Sequence, residues 1–400
     1  MTDAFLYDGL RSPFGRHAGA LSKVRPDDLL GTVIAALVKR TPLAAAGVED
    51  VIAGCTNQAG EDSRNVARHA GLLAGLPIET GGQTVNRLCG SGLAAVLDAA
   101  RCVRTGEGAL FVAGGVESMT RAPFVLGKAE TPFSRSADLY DTTMGARFSN
   151  PKIVKTFGAD TMPQTADNIA HELGIGREES DRYAARSQAR FHAAQREGFF
   201  TGEIVPIDLP ARGKAAPVVV AEDEHPRPDT DVDTLAKLRP LFDGGVVTAG
   251  NASGINDGAA AVLVGSRARG EAAGVAPRGR ILAGAVAGVA PRTMGLGPVP
   301  AVRKALERAG LTLKDMDLIE INEAFAVQVL GCAKLLELSA DDSRLNPNGG
   351  AIAVGHPLGA SGARLMLTAL RQLERSGGRY ALVSMCIGVG QGIAAVIERV

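Results

Sequence analysis

A chain of 400 residues with 46% hydrophobic and 22% charged positions can bury a sizeable core and divide into two or three structural units. Basic and acidic residues balance at 43 each, so no overall field draws it onto nucleic acid or an anionic membrane, and a polyanionic ligand must be met locally. Met1 to Gly15 has no basic segment leading into an apolar one and no run of about 18 apolar residues follows, so the expectation is a cytoplasmic protein without a membrane partner.

In chain order, the first helical pattern is Leu29 to Lys39, followed by a short apolar strand over Val48 to Gly54. Asn86-Arg87-Leu88-Cys89-Gly90-Ser91-Gly92-Leu93 then forms a turn that opens an Ala- and Leu-rich helix over Gly92 to Arg104. A thiol on such a turn faces unpaired N–H groups and the positive helix end, which should lower its pKa from about 8.5 and favour thiolate. The glycines after it let backbone donors approach a substrate carbonyl, although the same turn also suits a packed cysteine at a helix start. A strand over Ala109 to Gly115 follows.

The stretch from about Arg121 to Gly250 carries more charge and more proline, with the loop-like run Ala221 to Thr234, and reads as an insertion lying over sheets. Beyond it come a helix over Val299 to Ala309, a strand over Leu318 to Asn322, a helix over Ala363 to Arg375 and a strand over Arg379 to Met385. Strands alternating with helices at both ends make an α/β layout. The ends also echo each other: Gly90-Ser91-Gly92, helix and strand recur as Ala360-Ser361-Gly362, helix and strand, in the same order. A duplicated α/β half explains this, with a site where the halves meet.

Three further segments carry chemistry. Asn322-Glu323-Ala324-Phe325 ends a strand and offers an amide able to hold a water or an imidazole, or simply a helix cap. Gly355-His356-Pro357-Leu358-Gly359-Ala360-Ser361-Gly362 lacks the lysine of a phosphate-binding loop, while its proline and small residues leave room around an imidazole that could serve a thiol or an oxyanion. Cys386-Ile387-Gly388-Val389-Gly390-Gln391-Gly392 follows a strand too close to Val400 to build a nicotinamide site, and a thiol beside such amides suits proton transfer and an oxyanion hole. The five cysteines, Cys55, Cys89, Cys102, Cys332 and Cys386, contain no C-x-x-C pair and are expected as free thiols, with Cys55, Cys102 and Cys332 as small buried hydrophobes.

Together these motifs resemble the thiolase family over essentially the whole chain, with further matches at Gly114-Gly115-Val116-Glu117-Ser118-Met119, Thr248-Ala249-Gly250-Asn251-Ala252-Ser253-Gly254 with Asn256-Asp257-Gly258-Ala259-Ala260, and Asn346-Pro347-Asn348-Gly349-Gly350. The resemblance implies a thiolase fold, a five-layered αβαβα core of duplicated α/β halves with an inserted loop domain. Residues 1–120, completed by about 251–273, would form the N-terminal half, 121–250 the loop domain that binds CoA, and 274–400 the C-terminal half.

By the same resemblance Cys89 would be the acyl-accepting nucleophile, Cys386 the general acid and base, and His356 the activator of Cys89. His356 with a water held by Asn322 would make one oxyanion hole, and the N–H groups of Cys89 and Gly388 the other. Arg227 would meet the nucleotide end of CoA, and Met162, Ala249 and Ser253 its pantetheine. The His-Met pair of many biosynthetic thiolases is Thr161-Met162 here, so that histidine contact does not transfer.

The implied activity is thiolytic cleavage of a 3-oxoacyl-CoA, with CoA as substrate, no permanent cofactor and no metal, in a homotetramer or homodimer. The segments Gln58 to Arg68, Asp141 to Gly145 and Met162 to Asn168 are most similar to 3-oxoadipyl-CoA thiolases of aromatic-compound breakdown. The alternatives are an acetoacetyl-CoA thiolase, a broad-specificity 3-ketoacyl-CoA thiolase, a decarboxylating 3-oxoacyl synthase, disfavoured by Cys386, and a silent acyl-CoA-binding protein. For a substrate's end carboxylate, Arg135 and Arg147 are the candidates.

Overall fold

The computed structural model describes residues 2–45, 47–209 and 218–400. The first half comprises β1 (Ala4–Arg11), α1 (Pro26–Arg40), β2 (Asp50–Gly54), α2 (Val66–Leu73), β3 (Gly81–Val85), α3 (Ser91–Thr105) and β4 (Leu110–Ser118). After β4 the chain leaves the core, runs through α4 (Met162–Leu173) and α5 (Arg177–Arg196), and returns as β5 (Asn256–Ser266). The second half repeats the plan with β6 (Gly279–Gly288), α6 (Pro298–Ala309), β7 (Leu318–Ile321), α7 (Ala326–Leu335), α8 (Leu358–Ser376), β8 (Tyr380–Ile387) and β9 (Gln391–Arg399).

Strand order is β3-β2-β4-β5-β1 in the first half and β6-β9-β8-β7 in the second. Among the described residues, the two sheets meet edge to edge where Phe5 and Leu6 of β1 face Arg280 and Gly279 of β6. In each half the pairs β2–β4 and β7–β8 are parallel, whereas β4–β5 and β8–β9 are antiparallel. A parallel bridge from Ile319 to Leu345 stands in the second half where β3 stands in the first.

Helices α3 and α8 lie side by side between the sheets, α1 and α2 cover one outer face, and α6 and α7 cover the other, which completes the αβαβα stack. Alternation along the strands feeds this layering. In β5, Ala260, Val262 and Val264 join the central core around α3 and α8, while Ala259, Ala261 and Leu263 join the outer core under α1. In β9, Ile393, Ala395 and Ile397 face inward and Ala394 and Val396 face α6. Strands buried on both faces this way lose almost all their apolar surface to water, at roughly 25 cal/mol per Å².

The strands read from sequence appear within a few residues of their expected limits, and α8 starts five residues earlier than Ala363, at Leu358. The crossing of α3 and α8 fixes the site. A Cβ on Gly92 would sit 2.5 Å from Gly359 O, and one on Gly362 would sit 2.1 Å from Leu93 N, so the helix starts meet backbone to backbone. Only glycine permits that approach. It holds the Cys89 turn of one half against the His356 loop of the other.

Candidate active site

Cys89 sits at the mouth of α3 on a turn stapled by its own side chains. Ser91 Oγ donates to Leu88 O at 2.6 Å and accepts from Arg87 N at 2.8 Å, while Asn86 Oδ1 accepts from Leu88 N at 3.0 Å. Leu88, the residue before the cysteine, is held at φ 46°, a left-handed conformation unusual for a side chain of this size. The thiol meets the Gly388 N–H and its own N–H, and both contacts favour thiolate. Burial outweighs them and pushes the thiol up to about 11, so the lowered pKa expected from the helix end does not hold in the substrate-free protein. The helix end supplies its donors, but low-dielectric surroundings decide the resting charge.

Cys386 ends β8, fully buried, with Cys89 and Cys332 as its nearest ionisable neighbours. Burial and the two thiols keep it protonated, well above the ordinary range. The hairpin that follows brings Gly388 against the Cys89 turn: a Cβ on Gly388 would lie 3.3 Å from Leu88 Cδ1 and 3.7 Å from Met162 Sδ. Met162, the first residue of α4, thus reaches the Gly388 turn from the insertion.

His356 is buried and neutral, with its pKa depressed to about 3 by desolvation and then by the Arg364 charge one turn into α8. Its backbone N donates to Asn256 Oδ1 at 2.9 Å, and Gly355, at φ 102°, has no room for a Cβ beside that amide. The ring Nδ1 lies 2.6 Å from Ser361 Oγ, whose proton goes to Pro357 O at 2.9 Å. With that proton committed, Oγ accepts from Nδ1–H and leaves Nε2 as the basic nitrogen. Asn322 Nδ2 approaches Nε2 at 3.3 Å, and its buried Oδ1 accepts nothing from the described residues.

Two thiols, a neutral imidazole whose basic nitrogen faces the Asn322 amide, and two backbone donors converge where the halves meet. Such a set can pass an acyl group through a thioester, shuttle a proton and hold oxyanions. Ser361, Asn256 and Glu117, which also support the cluster, were missed as participants although all three lie inside the recognised motifs.

A small pocket between the insertion and the core is lined by Gln188, His225, Arg227, Thr230, Leu235, Ala249, Gly250, Ala252 and Ile352, which brings Arg227 and Ala249 together. Arg227 is exposed and anchored through its N–H to Gln188 Oε1 at 3.0 Å. Ser253 follows Ala252 and donates its N–H to Ala324 O at 2.9 Å. Among the other cysteines, Cys55 and Cys332 are buried, whereas Cys102 is half-exposed rather than a core residue because it lies on the edge of α3. All five thiols are free. Arg135 is exposed and Arg147 half-buried, and neither forms an ion pair among the described residues.

Comparison with known proteins matches residues 5–268 to the model described as thiolase, N-terminal domain, and residues 275–399 to thiolase, C-terminal domain. The beta-ketoadipyl-CoA thiolase of Acinetobacter baylyi is 58% identical over 402 aligned positions, covering 100% of both chains. The 3-oxoadipyl-CoA/3-oxo-5,6-dehydrosuberyl-CoA thiolase of Escherichia coli K12 is 56% identical over the same full extent. Among solved structures, the acetyl-CoA acetyltransferase of Bacillus anthracis superposes with a TM-score of 0.93 at 38% identity, covering 100% of this chain and 99% of that one. With both domain models matched end to end and a junction that gathers two thiols and an imidazole, this chain belongs to the thiolase family.

Proposed function

We propose that this enzyme cleaves 3-oxoadipyl-CoA with CoA to give succinyl-CoA and acetyl-CoA, through an acyl thioester on Cys89. The substrate rests on full-length similarity to relatives named for it, at 56–58% identity. The chemistry rests on one observation above the others: a protonated thiol, Cys89, at the start of α3, and a neutral His356, its Nε2 unprotonated, on the loop of the other half that this helix start meets backbone to backbone.

Cys89 gives its proton to His356 Nε2 as the thiolate adds to the C3 ketone. The C2–C3 bond breaks and its electron pair passes to the acetyl-CoA enolate, whose oxygen accepts from the Nε2–H just formed and from a water on Asn322. Cys386 Sγ–H delivers a proton to C2 and acetyl-CoA leaves. The Cys386 thiolate then takes the proton of incoming CoA, whose sulfur attacks acyl-Cys89. The oxyanion of that tetrahedral intermediate faces the Cys89 and Gly388 N–H groups. Collapse releases succinyl-CoA, and Cys89 recovers its proton from His356. CoA enters as substrate, and Arg227, Ala249, Ser253 and Met162 trace its path from nucleotide to thiol.

The insertion, residues 121–250 between two halves at 1–120 with 251–273 and at 274–400, serves as the CoA-binding loop domain in this reading. Its hairpin Phe124–Leu126 with Leu139–Asp141 exposes Phe124, Leu126, Phe133 and Leu139, an apolar arm suited to self-association into a homotetramer. A cytoplasmic setting fits free thiols. The test is a brief exposure to 3-oxoadipyl-CoA without CoA, then acid quench and peptide mass analysis. Succinyl mass on Cys89, absent in Cys89→Ala, is expected, and acyl mass on Cys386 would overturn the assignment. Cys386→Ala should still accept the acyl group slowly while losing proton exchange at C2 of acetyl-CoA.

A further inference from the structure

Glu117, the fourth residue of the Gly114-Gly115-Val116-Glu117 run, is a buried carboxylate that the reaction scheme leaves unused. It stands at the end of β4, where backbone meets backbone: a Cβ on Gly115 would lie 2.1 Å from Gly359 O, and one on Gly359 would lie 2.3 Å from Val116 O. Across that contact Glu117 Oε2 accepts from Gly359 N at 2.9 Å and from Thr56 N at 3.0 Å, and Oε1 accepts from Asn57 N at 2.9 Å. Gly359 lies in the first turn of α8, three residues after His356 and two before the serine that orients its ring. Thr56 and Asn57 belong to the half that carries Cys89, whose turn is tied to the same loop by Asn86 Nδ2 donating to Thr56 O at 3.0 Å. Asn57 Nδ2 donates in turn to Thr142 Oγ1 at 3.0 Å and so anchors the segment leading to the exposed arm.

We propose that Glu117 is a positioning residue, whose ionised carboxylate clamps the His356 loop onto the Cys89 half and so sets the distance between imidazole and thiol. This rests on Cys89 and His356 as the reacting pair. Three N–H donors converge on the carboxylate, and a protonated carboxyl would turn an O–H against one of them. Among the described residues, the ionisable groups facing it are Cys55 and Asp62 from the loop after β2, within 4.8 Å, and Cys89 at the start of α3, while α8 contributes the Gly359 amide. Burial with no paired cation raises Glu117 to about 7 in spite of its three donors. The clamp is therefore half-formed at about pH 7, nearly complete about one unit above it, and loosens as the pH falls.

The experiment compares kcat and KM against pH in the full-length enzyme and in Glu117→Gln. The unmodified enzyme should lose kcat below about pH 7. The variant, which cannot ionise, should show at least a tenfold lower kcat at pH 8, a KM for CoA within twofold, and no acid limb between pH 6 and 8. A parent-like kcat, or an acid limb unchanged in the variant, overturns the proposal. If Glu117→Gln does not fold, hydrogen exchange of the unmodified enzyme decides. Protection of the peptide containing Gly359, corrected for intrinsic exchange, should drop at least tenfold from pH 8 to pH 6, and constant protection overturns the clamp. Failure to find acyl mass on Cys89 in the unmodified enzyme would instead remove the reading beneath it.

Discussion

The resting charge of Cys89 can be read through its alkylation by iodoacetamide in the substrate-free enzyme. Burial takes the thiol from its ordinary value of 9.0 to about 11 against the pull of two amide donors. Each pKa unit is a factor of ten in thiolate, so at pH 8 about one molecule in a thousand is ionised rather than about one in ten. Because the protonated form is the favoured one, the rate should climb about tenfold per pH unit from 7 to 10 and bend only near 11. The assay is a timed quench followed by quantitation of the Cys89 peptide, with the half-exposed Cys102 peptide followed in the same digest. A Cys89 rate that is flat above pH 7 would mean that a thiolate–imidazolium pair or the helix end governs the thiol, and would refute the argument that the proton must move to His356 during acylation.

Removing an oxyanion donor should separate chemistry from binding: His356→Ala and Asn322→Ala should each lower kcat by about 100- to 1,000-fold with CoA affinity nearly kept, whereas Arg227→Ala should mainly raise the KM for CoA in steady-state assays. Gly92→Ala and Gly362→Ala force a methyl into backbone 2.1–2.5 Å away, so thermal melts should show a loss of at least about 1–3 kcal/mol or no folded protein. Glu320 on β7 is buried, both its oxygens lack a hydrogen-bond partner among the described residues, and its pKa is raised to about 8. It therefore supports the fold fully below its unfolded pKa and progressively less as pH rises through about 8, and the melting temperature of Glu320→Gln relative to the parent should grow from pH 5 to 8 and then level off. For substrate choice, kcat/KM should favour 3-oxoadipyl-CoA over 3-oxohexanoyl-CoA by at least about tenfold, roughly 1.4 kcal/mol. Equal rates would return the reading to a broad-specificity thiolase, and Arg135→Met and Arg147→Met would show whether either residue supplies that preference.

What could be read from the sequence follows the physics of its residues. Leu29 to Lys39 and Gly92 to Arg104 announce helices by their apolar spacing, and both appear, extended by three and one residues at their N-termini. Strands β5, β6 and β9 went unremarked because Asn256–Ser266 and Gly279–Gly288 are rich in alanine and glycine, residues with little strand preference of their own. They become strands because only small side chains fit where sheets meet α3 and α8 closely. The site was legible wherever a reactive side chain stood among glycines, as at Cys89, His356 and Cys386. Ser361 and Asn256 were not, since a polar residue that orients another declares itself only when both are placed. The charge of Cys89 was misjudged for a similar reason: local sequence displays the helix end but not the depth of burial.

The duplicated halves have one further consequence. Ser91 and Leu110 in the first copy answer to Ser361 and Tyr380 in the second, so Cys89 corresponds to Gly359 and the strand end at Gly388 to that at Ser118. Each helix start therefore confronts the strand end of the opposite copy, giving two geometrically related niches rather than one. In the first, the Gly388 amide looks onto a thiol; in the second, the Gly359 amide looks onto the carboxylate of Glu117. The second niche is filled by its own carboxylate, so it has no room for a substrate oxyanion. A symmetric ancestor with two open niches would face two half-built centres competing for one acyl-CoA, and sealing one of them leaves a single address for the substrate.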